Sequence, residues 1–261
     1  MRNVGHRESE PVRIPSERHG IPMTAQLRPR IILVHGAWVG PWEFGPLVQI
    51  LRERGWEVDA LDLPSTGSTE SMLQDAAAIT TAIDRADGPV VLVAHSYGGV
   101  PVTEAGDHPA VERIVYVAAF ALDAGESIIA SMGGELPGVW GTADGQLTMG
   151  RSRDERVDLI AADMPPGVPR EASEQLADLF RPQSLASFGD EVSSVAWRVK
   201  PATYILTEND GVVSPAFQES LAVRSGAEII RIPHGHAPFQ EDPAGFADLL
   251  ERVASLAPVS E

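Results

Sequence analysis

The sequence predicts an α/β fold: a doubly wound, mostly parallel sheet of about six strands, with a helical cap inserted after the fourth strand. Three observations indicate it. Short apolar runs alternate strictly with helix-compatible stretches. Polar residues and glycines follow the ends of several of these runs. The interval from residue 122 to residue 199 then interrupts the alternation, and it is too long for an ordinary connection between a strand and a helix.

Six runs are predicted as strands because they are short, apolar and rich in β-branched residues, as parallel strands buried on both faces are. They are residues 30–34, 56–61, 89–93, 112–118, 201–207 and 228–232. Helices are predicted at 41–54, 72–87, from 99 onwards, 215–225 and 243–254. Right-handed crossovers place these helices on both faces of the sheet.

The interrupted alternation predicts the domain organisation. Residues 29–121 and 200–261 form the sheet core, and residues 122–199 form a cap with helical pieces at 154–162 and 170–180. The alternative is one long connection without a lid function. Residues 1–28 carry several arginines and no apolar block, so we interpret them as a loose extension; a tag, or a misassigned start with Met23 as the true one, is the alternative.

Composition narrows the classes of partner. The 261-residue chain has a formal net charge of −17, which disfavours nucleic acids and anionic membranes as partners. It has no apolar run long enough to span a membrane and no cysteine, which excludes disulfides, thiolate metal sites and a cysteine nucleophile. We expect a cytoplasmic monomer or homodimer. No cofactor is expected, because no glycine-rich turn has dinucleotide-binding spacing.

The most informative segment is Ala94-His95-Ser96-Tyr97-Gly98-Gly99, between a predicted strand and a predicted helix. A serine at the apex of such a turn, flanked by small residues, is typical of a nucleophile elbow, here with Ala94 in the place of the first glycine. The helix that follows points its free N–H groups at the site. An ordinary turn or a phosphate-binding loop is the alternative.

A serine nucleophile needs a base, and the base needs an orienting carboxylate. His236 follows the last predicted strand, and Asp210 follows the fifth. Both are therefore predicted at the carboxyl edge of the sheet, with Ser96 as the nucleophile. His234 as the base and Glu208 as the acid remain alternatives, as does a His-x-His metal site, which no carboxylate cluster supports.

Acyl transfer also requires N–H donors for an oxyanion. The backbone N–H of Tyr97, directly after the nucleophile, is one candidate, and that of Ala37, after the first strand, is the other. Gly36 permits a close approach of the backbone. His35 is expected to bond loop backbone, although His35-Gly36 also fits a plain turn.

With these residues the chain resembles α/β-hydrolase-fold enzymes, in particular the esterase branch that includes plant methylesterases and hydroxynitrile lyases. The resemblance covers about residues 31–255. Its marks are His35-Gly36-Ala37 with Trp42, Asp62-Leu63-Pro64, the Ser96 elbow, Asp163-Met164-Pro165-Pro166 with Arg181-Pro182-Gln183, and Gly235-His236. Hydroxynitrile lyases of that branch carry a threonine and a lysine where this chain has Gly36 and Ala237, which disfavours lyase chemistry. Epoxide hydrolases and dehalogenases carry an aspartate where this chain has Ser96.

The resemblance implies a serine-dependent hydrolase of a small hydrophobic ester, thioester or lactone. Two alternatives stay open: a cofactor-independent lyase, acyltransferase or cyclase using the same triad, and a non-catalytic small-molecule receptor. Apolar residues near the site are candidates for the substrate pocket, with most of them expected in the core of the cap. They are Trp38, Trp140, Met149, Met164, Leu179, Phe180 and Phe188.

Overall fold

The computed structural model describes residues 28–164 and 167–256. The prediction of a loose extension falls, for residues 1–27, outside the described residues. Pro165 and Pro166 of the predicted proline-rich joint also lie outside them.

The strands within the described residues are β1 (Arg30–Val34), β2 (Val58–Leu61), β3 (Val90–His95), β4 (Val111–Val117), β5 (Gly141–Ala143), β6 (Gln146–Thr148), β7 (Gln183–Ser184), β8 (Ala202–Thr207) and β9 (Glu228–Ile232). The α-helices there are α1 (Gly45–Glu53), α2 (Met72–Asp84), α3 (Gly99–Ala105), α4 (Ile128–Ser131), α5 (Arg153–Asp163), α6 (Arg170–Ala177), α7 (Leu185–Gly189), α8 (Pro215–Arg224), α9 (Pro238–Glu241) and α10 (Pro243–Ala254). Short 3₁₀ helices span Pro41–Phe44, Ser96–Gly98 and Ala196–Arg198.

The main sheet has six parallel strands in the order β2-β1-β3-β4-β8-β9, which confirms the predicted fold class. The chain moves outward from β1 to β2 and then returns to β3 on the other side of β1. The switch point therefore lies between β1 and β3. Ligands bind at the carboxyl ends of the strands at such a point, which is where His35 and Ser96 follow β1 and β3.

Two apolar layers hold the helices to the sheet. Because side chains alternate along a strand, Ile32 and Leu92 pack on the face with α2, α3 and α8, while their neighbours Ile31 and Val91 pack on the face with α1 and α10. The central strand β3 is buried along its whole length. The sheet thus forms a rigid support for the residues at its carboxyl edge.

The predicted elements are present with shifted ends. The first helix opens with a 3₁₀ turn at Pro41–Phe44, and its α-helical part begins only at Gly45. The helix predicted at 170–180 ends at Ala177. Strand β3 continues two residues past the predicted end, to His95, directly before Ser96.

We call the segment 122–199 the cap segment. It was predicted to be helical, and it does contain helices, but it is not helical throughout. It also forms a three-stranded antiparallel sheet, β5-β6-β7. These strands are two or three residues long, too short for a periodic pattern. Asp144 and Gly145, both with positive φ, join β5 to β6, and such an Asp-Gly pair is a hairpin signal. The domain boundaries themselves stay a prediction.

Gly98 provides a test of how tightly the strand-to-helix turn is packed. A Cβ atom there would lie 2.6 Å from the carbonyl oxygen of Val34 and 2.7 Å from that of His35. We expect Gly98→Ala to lower the free energy of unfolding by about 1–3 kcal/mol, because backbone atoms cannot move aside as a side chain can. Urea titration measures the change.

Gly45→Ala is the matched control, because a Cβ atom there meets nothing within 4 Å and Gly45 opens a helix with an ordinary φ of −45°. Its stability should be equal to the wild type or higher by up to about 1 kcal/mol. Equal stabilities of the two variants would contradict the close packing at Gly98.

Candidate active site

Ser96 lies in a strained conformation at the end of β3. Its φ of +51° is in the left-handed region, which costs a residue with a Cβ atom on the order of 1–3 kcal/mol unless its surroundings hold it. Phe120 N donates to the carbonyl oxygen of Ser96 at 3.1 Å. Gly36 and Gly99 pack directly against this turn: a Cβ on Gly36 would lie 3.1 Å from Ser96 Cβ, and one on Gly99 would lie 2.7 Å from the carbonyl oxygen of Phe120. The small residues of the motif therefore make room for the elbow.

His236 and Asp210 form a hydrogen-bonded pair. His236 Nδ1 lies 2.8 Å from Asp210 Oδ2, and the carboxylate also accepts from the backbone N–H groups of Val212 and Val213 at 2.7 and 2.8 Å. Burial alone would raise the pKa of Asp210, but the hydrogen bond and charge of His236, with those N–H donors, outweigh it and lower the pKa. Asp210 is thus held as a carboxylate that orients the ring.

Gln218, which the sequence analysis did not single out, completes the setting of Asp210. Its amide nitrogen donates to Asp210 Oδ2 at 2.8 Å and to the carbonyl oxygen of Val213 at 2.7 Å. Thr207 Oγ1 donates to the same carboxylate oxygen at 2.9 Å. The turn after β8 is therefore fixed from the side of α8.

Ser96 and His236 line one cavity. With Nδ1–H donating to Asp210, Nε2 of His236 carries the lone pair that a general base needs. No hydrogen bond joins Ser96 to His236 within residues 28–164 and 167–256; such contacts are often long before a substrate binds.

The competing candidates lie elsewhere. Glu208 is exposed, and it is Asp210 that contacts His236. His234 lines a separate cavity beside α10 with Ile230 and Arg252. In the described parts of the chain no group of three or more His, Cys, Asp or Glu side chains is arranged to hold a metal ion.

A second histidine–carboxylate pair supports the first. His95 Nδ1 lies 3.2 Å from both carboxylate oxygens of Glu43, and His95 Nε2 donates to the carbonyl oxygen of His236 at 3.0 Å. Burial would lower the pKa of His95, but the charge of Glu43 and these hydrogen bonds raise it above the ordinary value. Because a carboxylate and a carbonyl oxygen can only accept, both ring nitrogens donate when His95 is protonated, and His95 links the turn at Ser96 to the backbone of His236.

The loop after β1 is fixed by His35. Its Nδ1–H donates to the carbonyl oxygen of Gly36 at 2.7 Å, and its Nε2 accepts from Leu63 N at 3.0 Å. The backbone N–H of Leu63 thereby selects the tautomer. Since the Gly36 carbonyl belongs to the same planar peptide as Ala37 N–H, the bond to His35 sets the orientation of that N–H.

Two cavities meet at Ser96. The histidine-side cavity, of about 470 Å³, is lined by His236, Met149, Met164 and Phe180 among others. The aromatic cavity, of about 400 Å³, is lined by Tyr97, Phe120, Trp140, Phe188 and Phe217 among others. Residues common to both are Ala37, Trp38, Ser96 and Val212.

The structure therefore divides the predicted pocket residues between the two cavities, with Trp38 at their junction. Leu179 is the exception. It is 52% exposed and lines neither cavity, and it lies two residues beyond the end of α6 at Ala177. Val212, on the turn after Asp210, was not predicted; its position two residues after the proposed acid is the signal that could have found it.

Asp163, at the end of α5, reaches from the cap segment to the turn that carries Asp210. Its Oδ1 accepts from Gly211 N at 3.2 Å, and the residue lines the histidine-side cavity. The pKa of Asp163 is raised, because burial and the nearby charge of Asp210 outweigh the opposite effect of His236. The sequence analysis used Asp163 only as a mark of resemblance, although a carboxylate within that mark was the available signal.

No helix in the described residues is both long and apolar enough to cross a bilayer.

Residues 31–249 match the model of an alpha/beta hydrolase family. The chain is 30% identical over 254 residues to the alpha/beta hydrolase nvfD of Aspergillus novofumigatus, covering 88% of this chain and 98% of that protein. It is 27% identical over 245 residues to a carbendazim hydrolyzing esterase of a Nocardioides species, covering 86% and 98%.

Among solved structures, a pyrethroid hydrolase, PytH, has 25% identity and a TM-score of 0.74, covering 89% of this chain and 99% of that one. A methylesterase from Arabidopsis has 21% identity and a TM-score of 0.71, covering 87% and 99%, and shares the fold. These findings confirm the predicted resemblance to hydrolases of the esterase branch.

The His95–Glu43 pair predicts a pH dependence of stability. Because the folded-state pKa of His95 is raised, its stabilising contribution is complete below the unfolded value of about 6.5 and is lost as the pH rises through the folded value. Glu43→Gln should therefore cost most stability below about pH 6.5 and less above it, with a slope of at most about 1.4 kcal/mol per pH unit.

The measurement is the free energy of unfolding of wild type and Glu43→Gln in urea between about pH 5.5 and 9. The difference between the two proteins at each pH isolates the pair, because the other titrating groups are shared. A difference that grows as the pH rises would contradict the assignment of the proton to His95.

Proposed function

Because the chain belongs to the alpha/beta hydrolase family, we propose that it is a serine-dependent hydrolase of a small hydrophobic carboxylic ester, thioester or lactone. The observation that carries the proposal is the Asp210–His236 hydrogen bond, which leaves Nε2 as the free ring nitrogen in a cavity shared with Ser96. The strained backbone of Ser96 adds support, since such strain is maintained where function requires it.

In this proposal, His236 Nε2 takes the proton of the Ser96 hydroxyl as the serine oxygen attacks the ester carbonyl carbon. The backbone N–H groups of Ala37 and Tyr97 bind the oxyanion. When the tetrahedral intermediate collapses, His236 gives its proton to the leaving alcohol. Asp210 stabilises the imidazolium in both steps. Water, activated by His236, then releases the acid from Ser96.

In this proposal, each of the two cavities holds one part of the substrate. The leaving oxygen must lie beside His236 to be protonated, so the alcohol part occupies the histidine-side cavity, which His236 lines. The acyl part then occupies the aromatic cavity, lined by Tyr97 and Trp140. Asp163 and Glu241 at the histidine-side cavity disfavour an alcohol part that carries a negative charge.

Ala237 supports hydrolysis over lyase chemistry. It lines the histidine-side cavity directly after His236, at the place where hydroxynitrile lyases of the branch carry a lysine. A methyl group there cannot stabilise a departing anion. An acyltransferase or cyclase would use the same triad and differ only in what accepts the acyl group.

The triad is tested by turnover of p-nitrophenyl butyrate and by intact mass after incubation with a fluorophosphonate. Wild type should gain one adduct, and Ser96→Ala none. Asp210→Asn should lower kcat about 10⁴-fold, because the neutral amide selects the wrong tautomer of His236.

Glu208→Gln is the matched control, as it removes a nearby but exposed carboxylate. It should leave kcat within about twofold. Full activity of Asp210→Asn together with loss in Glu208→Gln would sink the assignment of the acid.

The cavity assignment is tested by enlarging each cavity at one half-buried side chain. Trp140→Ala should shift the preference among acyl groups of p-nitrophenyl esters toward bulkier ones, by roughly tenfold or more in kcat/KM. Met164→Ala should instead shift the preference among alcohols at a fixed acyl group. The reverse pattern would show that the acyl and alcohol parts bind the other way round.

A further inference from the structure

We propose that Gln183 of the cap segment is a positioning residue for the oxyanion hole, an inference that rests on the proposed function. Gln183 lies in β7 and is fully buried, and it lines neither of the two cavities. Its hydrogen bonds lead to Trp38, which follows the proposed donor Ala37, and through Ser65 and Asp75 to the side chain of Tyr97, the other proposed donor.

All the hydrogen-bonding capacity of the Gln183 amide is used. Its Nε2 donates to Ser65 Oγ at 2.7 Å and to Ser187 Oγ at 2.8 Å. Its Oε1 accepts from Thr66 Oγ1 at 3.0 Å and, more weakly, from Trp38 N at 3.5 Å. Since two donors and two acceptors meet it, the amide is held in one orientation.

One branch of these bonds reaches Trp38, the residue after Ala37. Trp38 follows Ala37 and has a φ of +65°, which is costly for a residue with a large side chain. Gln183 binds its N–H, the backbone N–H of Arg181 donates to its carbonyl oxygen at 2.7 Å, and its indole N–H donates to the carbonyl oxygen of Leu147 at 3.1 Å. The strained residue beside the Ala37 donor is therefore held at three points, all on the cap segment.

The other branch reaches Tyr97. Ser65 Oγ accepts from Gln183 and donates to Asp75 Oδ2 at 2.5 Å, and Tyr97 Oη donates to the same carboxylate oxygen at 2.5 Å. Asp75 also accepts from Ser65 N at 2.9 Å and is fully buried. The side chain of Tyr97, whose backbone N–H is the second donor, is thus tied through two residues to Gln183.

This connection matters because oxyanion stabilisation depends on where the donors lie. They must be 2.7–3.1 Å from the developing oxyanion, and a misplacement of about 1 Å can cost roughly 100-fold in rate. Both donors belong to the sheet core, one after β1 and one after β3. Their spacing is fixed by the core and, through Gln183, by the cap segment.

The test replaces Gln183 by methionine, which keeps the length and volume of the side chain and removes its hydrogen bonds. Kinetics on p-nitrophenyl butyrate should show kcat lowered about 10- to 100-fold with KM within about threefold. The inhibition constant of a trifluoromethyl ketone, which forms a tetrahedral adduct with Ser96, should rise by the same factor as kcat/KM falls. Inhibition by butyrate should stay unchanged.

Trp197→Phe is the matched control. It removes another hydrogen bond of the cap segment, from the indole N–H to the carbonyl oxygen of Leu122 at 3.0 Å, away from both donors. It should lower stability and leave kcat within about twofold. If Gln183→Met behaves in the same way, with kcat and ketone affinity unchanged, Gln183 is only a structural residue and the inference is overturned.

Ser65→Ala and Tyr97→Phe decide the question if Gln183→Met does not fold. Each breaks the branch to Asp75 while keeping Gln183 and the Tyr97 N–H, and each should lower kcat more than it raises KM. In the double variant the effects should fall short of their product, because both act through one network. Unchanged kcat in both single variants overturns the inference.

The proposed function fails separately. A wild type without turnover and without a fluorophosphonate adduct contradicts the serine hydrolase itself. A wild type that is active, with Gln183→Met, Ser65→Ala and Tyr97→Phe equally active, contradicts only the role of Gln183.

Discussion

Close packing of three backbone segments around Ser96 is the constraint on which the rest of the site depends. The end of β1 lies against Gly98, the segment after β4 lies against Gly99, and the loop after β1 lies against Ser96 itself. A Cβ atom on Gly98 or Gly99 would clash with backbone oxygens, and one on Gly36 would lie only 3.1 Å from Ser96 Cβ. The left-handed conformation of Ser96 is therefore maintained by its packing against the segments that follow β1 and β4. Because these strands are held in the sheet, Ser96 has little freedom to move.

Buried carboxylates extend this rigidity to the loops. Asp210 orients His236, and Glu43 pairs with His95. Asp75 accepts hydrogen bonds from Ser65 and Tyr97. Each carboxylate is matched by donors, so its burial does not leave an unpaired charge. The chain has a net charge of −17. These three acids are buried, whereas most of the other acids in residues 28–164 and 167–256 are exposed.

The parts of this arrangement that could be predicted from sequence are those encoded locally. The alternation of apolar runs predicts the sheet, and the small residues around Ser96 predict the elbow, because both follow from the geometry of a few adjacent residues. The positions of Asp210 and His236 after strand ends follow from topology. The structure places them within hydrogen-bonding distance of each other.

What could not be predicted depends on contacts between distant residues. Glu43 and His95 are 52 positions apart, and Gln183 and Trp38 are 145 apart. No periodicity marks such residues, since a buried glutamine in a two-residue strand has the local sequence of a loop. The division of the pocket at Trp38 depends likewise on how the cap segment folds back, which a single sequence does not specify.

The attachment of the cap segment to Trp38 also has a consequence for how a ligand reaches the serine. If the cap segment lifted as a rigid body, the bonds from Arg181 and Gln183 would break and the strained Trp38 would relax. Opening of that kind would dismantle the site that it exposes. A ligand that entered past Val168 and Val212, which line the histidine-side cavity and are 39% and 45% exposed, would leave those bonds intact. With the cap segment attached in this way, a ligand would have to fit the opening beside Val168 and Val212 as well as the cavities around Ser96.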